Sequence, residues 1–187
     1  VIQLEDRILP LAFDPELTDM FADDLRDNGI ELHLSEAVQA LEGTVQVTGI
    51  VTDKGQYATD LVIVAAGIRP NTQFITDDRL KKLPNGAIIV DQAGRTSIEN
   101  VYAAGDNATV INSVTNQPMY SALATGANKL GRIVGTNLGG QAAQLPGMLN
   151  SAGVKLITLE AGRTGLTEKE AAEAGIDFST VLIHDKN

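Results

Sequence analysis

Asp106 is the residue whose type and position best suit ligand chemistry in this sequence. It follows Val101–Ala104, an apolar run of strand length, and a single glycine, Gly105, that lets a ligand approach the backbone. Open parallel sheets bind ligands in the crevice outside the carboxyl ends of their strands. A carboxylate there suits a hydrogen bond to a sugar or ribityl hydroxyl, whereas Asp also caps turns and helices. These few residues alone leave both interpretations open.

A long helical pattern follows this carboxylate and runs from Ser121 to Leu138. The start of such a helix offers free backbone N–H groups and about half a positive charge to a ligand. Its apolar stripe consists of Leu123, Leu130, Ile133, Val134 and Leu138. Three interior glycines, Gly126, Gly131 and Gly135, each cost about 1 kcal/mol against alanine. We therefore predict close packing of this helix against a neighbouring backbone.

The third stretch that could contact a ligand is the turn that begins at Gly67. It follows Leu61–Ala66, a continuous apolar run typical of a strand buried on both faces. A glycine after such a strand permits close approach of a cofactor, and Pro70 biases Arg69 away from helix. A plain crossover between domains is the alternative, and it is compatible with ligand contact.

The elements before this turn predict most of a dinucleotide-binding domain. Val1–Leu4 reads as a strand, Asp14 and Pro15 as the cap and first residue of a helix, and Ile30–Leu34 as a second strand. Short β segments follow, including Val45 and Val47, with a hairpin turn at Asp53–Gly55. The order strand, helix, strand, β-meander and buried strand matches such a domain. Its glycine-rich phosphate turn is absent, so we expect a piece of a larger protein.

Two further β-containing units follow along the chain. The first includes a strand at Ala87–Val90, and small and turn-forming residues at Gly139–Gly147 mark a boundary after it. The second begins with a strand at Val154–Leu159, and Thr167 with Glu170 forms a capping box for a short helix. The chain then reads as a last strand, Phe178–Ile183.

Composition excludes several classes of function. The 187 residues carry a net charge of −10, which disfavours binding to nucleic acid or to an anionic membrane. No apolar run reaches the 18 or so residues of a membrane span. Cysteine is absent, and His33 and His184 show no ligand spacing, so we expect no metal site. Both histidines fit structural or solvent-facing roles. No targeting segment opens the chain, and a cytoplasmic location is the default expectation.

In combination, these stretches resemble the FAD-dependent pyridine nucleotide-disulfide oxidoreductases. The similarity rests on Thr96 followed after six residues by Ala103–Asp106, on Ala122–Thr125 with Arg132, and on Thr164–Ala171. The second of these patterns is similar to the branch of CoA-disulfide reductases and NADH oxidases. The resemblance covers nearly the whole chain.

This resemblance implies an α/β fold: partial Rossmann-like FAD- and NAD(P)-binding domains with a β-meander, followed by the start of an α+β interface domain. The implied boundaries are residues 1–67 for the NAD(P) part, 68–146 for the FAD part and 147–187 for a homodimer interface. The implied cofactors are FAD and NAD(P)H, with Asp106 on the ribityl chain of FAD. The other residues implied to contact a cofactor are Gly67, Gly105, Ala122, Leu123, Ala124 and Thr125.

Gln3 stands where the family usually has the acid that binds the adenine ribose. A glutamine still hydrogen-bonds a ribose hydroxyl but repels a 2′-phosphate less than an acid does. The choice between NADH and NADPH therefore stays open.

The implied function is transfer of hydride from NAD(P)H through FAD to a disulfide, a persulfide or dioxygen. The resemblance assigns no catalytic residue to this chain, because the family's redox cysteine would lie upstream of Val1. We expect these 187 residues alone to be inactive and to bind little or no FAD. Two alternatives are a cofactor-free structural or interaction module and a reductase that serves a ferredoxin or rubredoxin.

Overall fold

Residues 1–185, which the computed structural model describes, form two compact units, each with its own hydrophobic core. Unit 1 comprises residues 1–66, 152–163 and 167–185, and unit 2 comprises residues 67–151 and 164–166. The last two residues of the segment expected to begin an interface domain, 186 and 187, lie outside the described residues.

Unit 1 is built around helix α1, Pro15–Asp27, where the sequence predicts it. Phe21 and Ala22 bury one face of the helix in the core, and Phe13 packs edge-on against Phe21 at a ring distance of 5.1 Å. Asp14 is the N-cap residue, as predicted, but the expected side-chain hydrogen bond is absent. The Asp14 carboxylate does not cap α1 but accepts a hydrogen bond from the Glu168 N–H at 3.0 Å. The start of a helix stabilises a nearby carboxylate, and the Asp14 carboxylate binds at the start of a second helix, at Glu168.

The first and second predicted strands pair in parallel but only briefly. Ile2 and His33 form an isolated parallel bridge, and the Gln3 N–H donates to the His33 carbonyl at 2.9 Å. The Glu36 N–H then donates to the Gln3 carbonyl at 3.0 Å. The backbone of Gln3 is therefore fixed between two residues of the neighbouring segment.

A three-stranded antiparallel sheet forms the predicted β-meander. Its strands are β1, Val38–Glu42, β2, Gly49–Thr52, and β3, Gln56–Ala58, in the order β1-β2-β3. The Thr52 N–H donates to the Gly55 carbonyl at 2.9 Å, which confirms the predicted turn. Val45 and Val47 both lie in the loop between β1 and β2, and Val45 is 99% exposed, so the expected strand at these two residues is wrong.

A buried carboxylate ties this sheet to the segment that precedes it. Glu36 is 4% exposed and accepts hydrogen bonds from the hydroxyls of Thr52 and Tyr57. Both bonds lower the pKa of Glu36, the bond from Thr52 most, although burial opposes the shift. The same contact raises the pKa of Tyr57, whose hydroxyl also lies 3.0 Å from His33 Nδ1. His33 thus has the structural role that the sequence predicts.

The expected buried strand Leu61–Ala66 is not found. These residues form no strand, and the side chains of Leu61, Ile63 and Val64 are 73%, 84% and 75% exposed. A strand buried on both faces needs neighbouring strands and covering layers. The described residues supply neither to this segment.

The rest of unit 1 is a hairpin and a short helix. The elements are β6, Ala152–Lys155, β7, Glu160–Arg163, and α3, Glu168–Glu173. The capping box of Thr167 and Glu170 is confirmed by both of its hydrogen bonds. The strand expected at Val154–Leu159 is confirmed only for Val154 and Lys155, because the chain turns after Lys155. The last expected strand, Phe178–Ile183, is absent, and its residues are exposed.

Asp24 attaches the β6–β7 turn to helix α1. Its carboxylate accepts hydrogen bonds from the N–H groups of Ile157 and Thr158, at 3.1 and 3.2 Å, and from the Thr158 hydroxyl. The side-chain bond from Thr158 lowers the pKa of Asp24 most, burial opposes the shift, and the backbone bonds reinforce it. The Asp24 carboxylate is therefore held in its ionised form, and its oxygens are engaged in these hydrogen bonds.

We expect Asp24→Ala to lower the thermal midpoint of the full-length protein, because it leaves two backbone N–H donors without their acceptor. Asp23→Ala, an exposed neighbour on the same helix, should have much less effect.

The folded-state pKa of Asp24 lies below its ordinary 3.8. Its stabilising contribution is therefore present above that pH and lost as the pH falls through the folded-state pKa. The difference in thermal midpoint between wild type and Asp24→Ala should stay constant from about pH 7 to 5 and shrink below pH 3.8. Equal midpoints for the two variants would contradict this role.

Unit 2 packs helix α2 against a two-stranded ribbon and the buried segment before it. The elements are β4, Thr109–Ile111, β5, Pro118–Tyr120, and α2, Ala124–Leu138. The buried core residues are Leu80, Ile88, Val90, Ala108, Val110, Leu130 and Leu145. The predicted strand Ala87–Val90 is buried, but within the described part of the chain it pairs only through isolated bridges of Ile88 with Lys82 and Ala108.

The expected buried strand Val101–Ala104 is wrong as stated. Only Tyr102 forms a bridge, antiparallel to Arg95, and Val101 is 39% exposed. The Thr96 N–H donates to the Val101 carbonyl and the Ala103 N–H to the Gly94 carbonyl. The run therefore folds back and hydrogen-bonds to the turn before it. It is paired along one edge only, because the described residues place no further strand beside it.

Of the three interior glycines of α2, only Gly126 is closely packed, and its closest neighbour is a side chain rather than the predicted backbone. A Cβ atom there would lie 3.2 Å from Met148 Sδ. Gly131 and Gly135 have nothing within 4 Å of that position, so the prediction is wrong for both. They lie on a face of the helix that the described residues leave uncovered.

Candidate functional site

The candidate site lies in unit 2, where Gly105 and Asp106 follow the run Val101–Ala104. Gly105 has φ +86°, a conformation that favours glycine, and no atom lies within 4 Å of where its Cβ would stand. The Asp106 side chain is exposed and makes no hydrogen bond to any group of residues 1–185. The carboxylate thus has room and free acceptor capacity. It does not cap a turn or a helix, which was the alternative interpretation.

The β4–β5 ribbon brings the start of α2 to the same end of the ribbon as Asp106. Thr109 is paired with Tyr120, so Asp106 and Leu123 each lie three residues beyond the same end of the ribbon. Burial and then the charge of Asp106 raise the pKa of the Tyr120 hydroxyl. Tyr120 is a residue that sequence reasoning missed, because only the strand register reveals its position.

Four of the predicted contact residues lie at the start of α2. Leu123 is the N-cap, with φ −119° and no side-chain cap bond, and the helix begins at Ala124 rather than at Ser121. Ala122 and Leu123 are half-buried, whereas Ala124 and Thr125 are exposed. Of the described residues, none accepts a hydrogen bond from the N–H of Ala124 or Thr125. These donors are therefore available to an acceptor on a ligand.

The packing beneath this helix start fixes its position. Gly126 lies against Met148, and the Ser121 hydroxyl donates to Asn150 Oδ1 at 2.8 Å. Leu130, one turn further on, is 2% exposed in the core. The free N–H groups thus belong to a helix that is held at its first two turns.

Gly67 begins the crossover segment at the edge of the same unit. It has φ +85° and open space where a Cβ would stand. The N–H of Asn71, four residues later, donates to Asn107 Oδ1 at 2.9 Å. Asn107 is a second residue that sequence reasoning missed. The bond places Asn71, at the end of the segment that begins at Gly67, beside Asn107, which directly follows Asp106.

Gln3 lies in unit 1 and is half-buried. Its Nε2 donates to the Arg7 carbonyl at 3.4 Å, so the amide turns toward the following loop. A cleft of about 390 Å³ opens beside that loop. Its lining residues are Asp6, Arg7, Ile8, Thr18, Asp19, Ala22, Asp23, Arg26 and Leu34. None of the predicted contact residues lines it.

The site in unit 2 combines one free carboxylate, a helix start with free donors and two glycines with open faces. The carboxylate can accept from a hydroxyl, and the donors suit an acceptor or a developing negative charge. Among residues 1–185, no cluster of three His, Asp or Glu side chains could hold a metal ion. No helix of that range is long and apolar enough to cross a membrane.

The chain belongs to the pyridine nucleotide-disulphide oxidoreductase family, which it matches over residues 1–127. It is 39% identical over 183 residues to the NAD(P)H sulfur oxidoreductase (CoA-dependent) of Pyrococcus furiosus, a match that covers 98% of this chain and 41% of that protein. It is 35% identical to an NADH oxidase of Streptococcus pneumoniae, covering 99% and 40%.

A solved structure gives the same relationship in three dimensions. The chain is similar to the water-forming NADH oxidase from Lactobacillus brevis bound to NADH, with a TM-score of 0.88 and 37% identity. That match covers 98% of this chain and 41% of that one. The chain therefore spans about 40% of the length of these relatives, and it has the mixed α/β fold that the resemblance predicts.

Proposed function

We propose that the full-length protein containing this chain is a FAD-dependent NAD(P)H oxidoreductase. It passes hydride from NAD(P)H through FAD to a small-molecule acceptor: a disulfide, a persulfide or dioxygen. The observation that carries this proposal is the Asp106 carboxylate, which hydrogen-bonds to no group of residues 1–185, follows an open glycine, and lies at the same end of the β4–β5 ribbon as a helix start with free N–H groups. The names of the relatives, a sulfur oxidoreductase and NADH oxidases, support the reaction class.

The residues of this chain bind and orient the cofactor and perform no chemistry of their own. FAD, when bound, supplies the ability to accept hydride and pass electrons on. Asp106 accepts a hydrogen bond from a ribityl hydroxyl. Gly67 and Gly105 let the backbone come close, and Ala122–Thr125 present the helix start to the flavin's pyrimidine edge.

The helix start tunes the cofactor modestly. A helix terminus stabilises a nearby negative charge by about 0.3–1 kcal/mol, and by up to ~2 kcal/mol when partly buried. For a two-electron couple, about 1.4 kcal/mol corresponds to roughly 30 mV. The Leu123–Thr125 backbone therefore shifts a flavin potential by tens of millivolts at most and cannot supply the redox reaction.

Gln3 contacts the adenine ribose of NAD(P)H in this proposal. Its Nε2 is engaged with the Arg7 carbonyl, which leaves the Oε1 atom to accept from a ribose hydroxyl. A neutral amide also lacks the charge with which an acid repels a 2′-phosphate. We therefore expect less discrimination between NADH and NADPH than in a relative with an acid at this position.

The domain assignment belongs to the same proposal. Residues 1–67 complete the NAD(P)-binding part, residues 68–146 supply the second segment of the FAD-binding part, and residues 147–187 begin a dimerisation domain. A homodimer and a cytoplasmic location follow as predictions, which sedimentation and cell fractionation would check.

The proposed function is tested by purifying the full-length protein. We expect a yellow protein with flavin absorbance near stoichiometric occupancy, and bleaching of that absorbance by NADH or NADPH without oxygen. The 187-residue chain should retain little or no flavin. A colourless full-length protein would favour the cofactor-free module, and flavin retained by the short chain would overturn the view that it holds only part of the site.

A further inference from the structure

One side chain connects the two segments predicted to contact the cofactor. Asn107 directly follows Asp106, and its Oδ1 accepts a hydrogen bond from the Asn71 N–H at 2.9 Å. The two residues are 36 positions apart in the sequence. The bond therefore joins the Gly67–Asn71 crossover to the Gly105–Asp106 turn.

The backbone of Asn107 is firmly held. Its carbonyl accepts from the Ile88 N–H at 2.8 Å, and the Thr109 N–H donates to the Ile88 carbonyl at 2.9 Å. Ile88 is 6% exposed and Ala108 is 1% exposed, both in the core of unit 2. The side chain of Asn107 thus extends from a backbone that cannot shift without disturbing the core.

The far end of the crossover is anchored separately. Thr72 is 2% exposed, and its hydroxyl donates to the Gly86 carbonyl at 2.6 Å. The ammonium group of Lys82 donates to the Thr72 carbonyl at 2.9 Å. Between this anchor and Gly67, no side chain of residues 1–185 other than Asn107 hydrogen-bonds to the backbone of residues 67–71.

We propose that Asn107 is a positioning residue that fixes the Asn71 end of the crossover beside the Asp106 turn, so that both segments reach one bound FAD. The inference rests on the proposed function. Asn107 acts through its Oδ1 acceptor and makes no cofactor contact itself. Aspartate keeps an acceptor in the same place, whereas alanine removes it.

The test uses the full-length protein with Asn107→Ala, Asn107→Asp and a matched control, Thr115→Ala. The Thr115 hydroxyl also accepts from a backbone N–H, that of Gln117 at 3.3 Å, but in the loop at the opposite end of the β4–β5 ribbon from Asp106. Two quantities are measured in each: the Kd for FAD added to apoprotein, and hydrogen exchange at the Asn71 amide.

We expect Asn107→Ala to raise the Kd for FAD about three- to tenfold, the range of one net hydrogen bond, and to speed exchange at Asn71. Asn107→Asp should restore the slow exchange and bring the Kd closer to the wild-type value. Thr115→Ala should change neither quantity.

Several results would overturn the inference. One is faster exchange at Asn71 in Asn107→Ala with an unchanged Kd, because the bond would then be structural only. Equal losses in Asn107→Ala and Asn107→Asp would exclude the acceptor as the cause. A wild-type protein without flavin would instead refute the proposed function, so the two failures are distinguishable.

Discussion

Replacing Asp106 with alanine in the full-length protein is expected to weaken FAD binding about 10- to 100-fold. A hydrogen bond to a charged group contributes roughly 1.5–3 kcal/mol, and each 1.4 kcal/mol or so is a factor of ten in affinity. Folding stability should change by less than about 0.5 kcal/mol, because the exposed carboxylate hydrogen-bonds to no group of residues 1–185. Titration of apoprotein with FAD, together with urea unfolding, measures both quantities.

Two variants control this experiment. Asp106→Asn keeps one acceptor oxygen without the charge and should give an intermediate affinity. Asp78→Ala removes another exposed carboxylate of unit 2, outside the candidate site, and should leave FAD affinity unchanged. Wild-type affinity in Asp106→Ala would exclude the proposed role of this carboxylate.

The largest expected effect on stability comes from Leu130→Ala, about 2–5 kcal/mol of unfolding free energy. Leu130 is 2% exposed and packs in the core with Ile88, Val110 and the rest of the cluster. Its truncation removes buried apolar surface and leaves a cavity beneath α2. Urea unfolding of the full-length protein, followed by circular dichroism, measures the change.

Leu138→Ala serves as the matched control on the same helix. Leu138 is 65% exposed, so its truncation should change the unfolding free energy by less than about 0.5 kcal/mol. Because Leu130 also holds the helix start in place, we expect weaker FAD binding in Leu130→Ala than in the control. Equal stability of the two variants would contradict the packing described for α2.

The predictions that succeeded depend on residues close together in the sequence. Pro15 marks the start of α1, Asp53–Gly55 makes a turn, and Thr167 with Glu170 forms a capping box. In each case the hydrogen bonds or dihedral angles that define the feature lie within a few residues. The sequence therefore contains all the physical information that these features require.

The predictions that failed depend on partners elsewhere in the chain. Leu61–Ala66 has the composition of a buried strand, yet it is exposed because the described residues place no strand beside it. Asp14 has the position of a cap, yet its carboxylate binds the Glu168 N–H, 154 residues away. Propensity gives the conformation that a segment can adopt, whereas pairing and burial depend on which distant groups come within reach.

For the candidate site, the sequence by itself determined that Asp106 follows a glycine and that a helix start comes soon afterwards. It also determined the family. Only the tertiary structure decided that the carboxylate hydrogen-bonds to no group of residues 1–185, that Tyr120 pairs with Thr109, and that Asn107 binds the backbone of Asn71. These facts arise from strand register and from one hydrogen bond across 36 positions, and such contacts exist only once the core of unit 2 has packed.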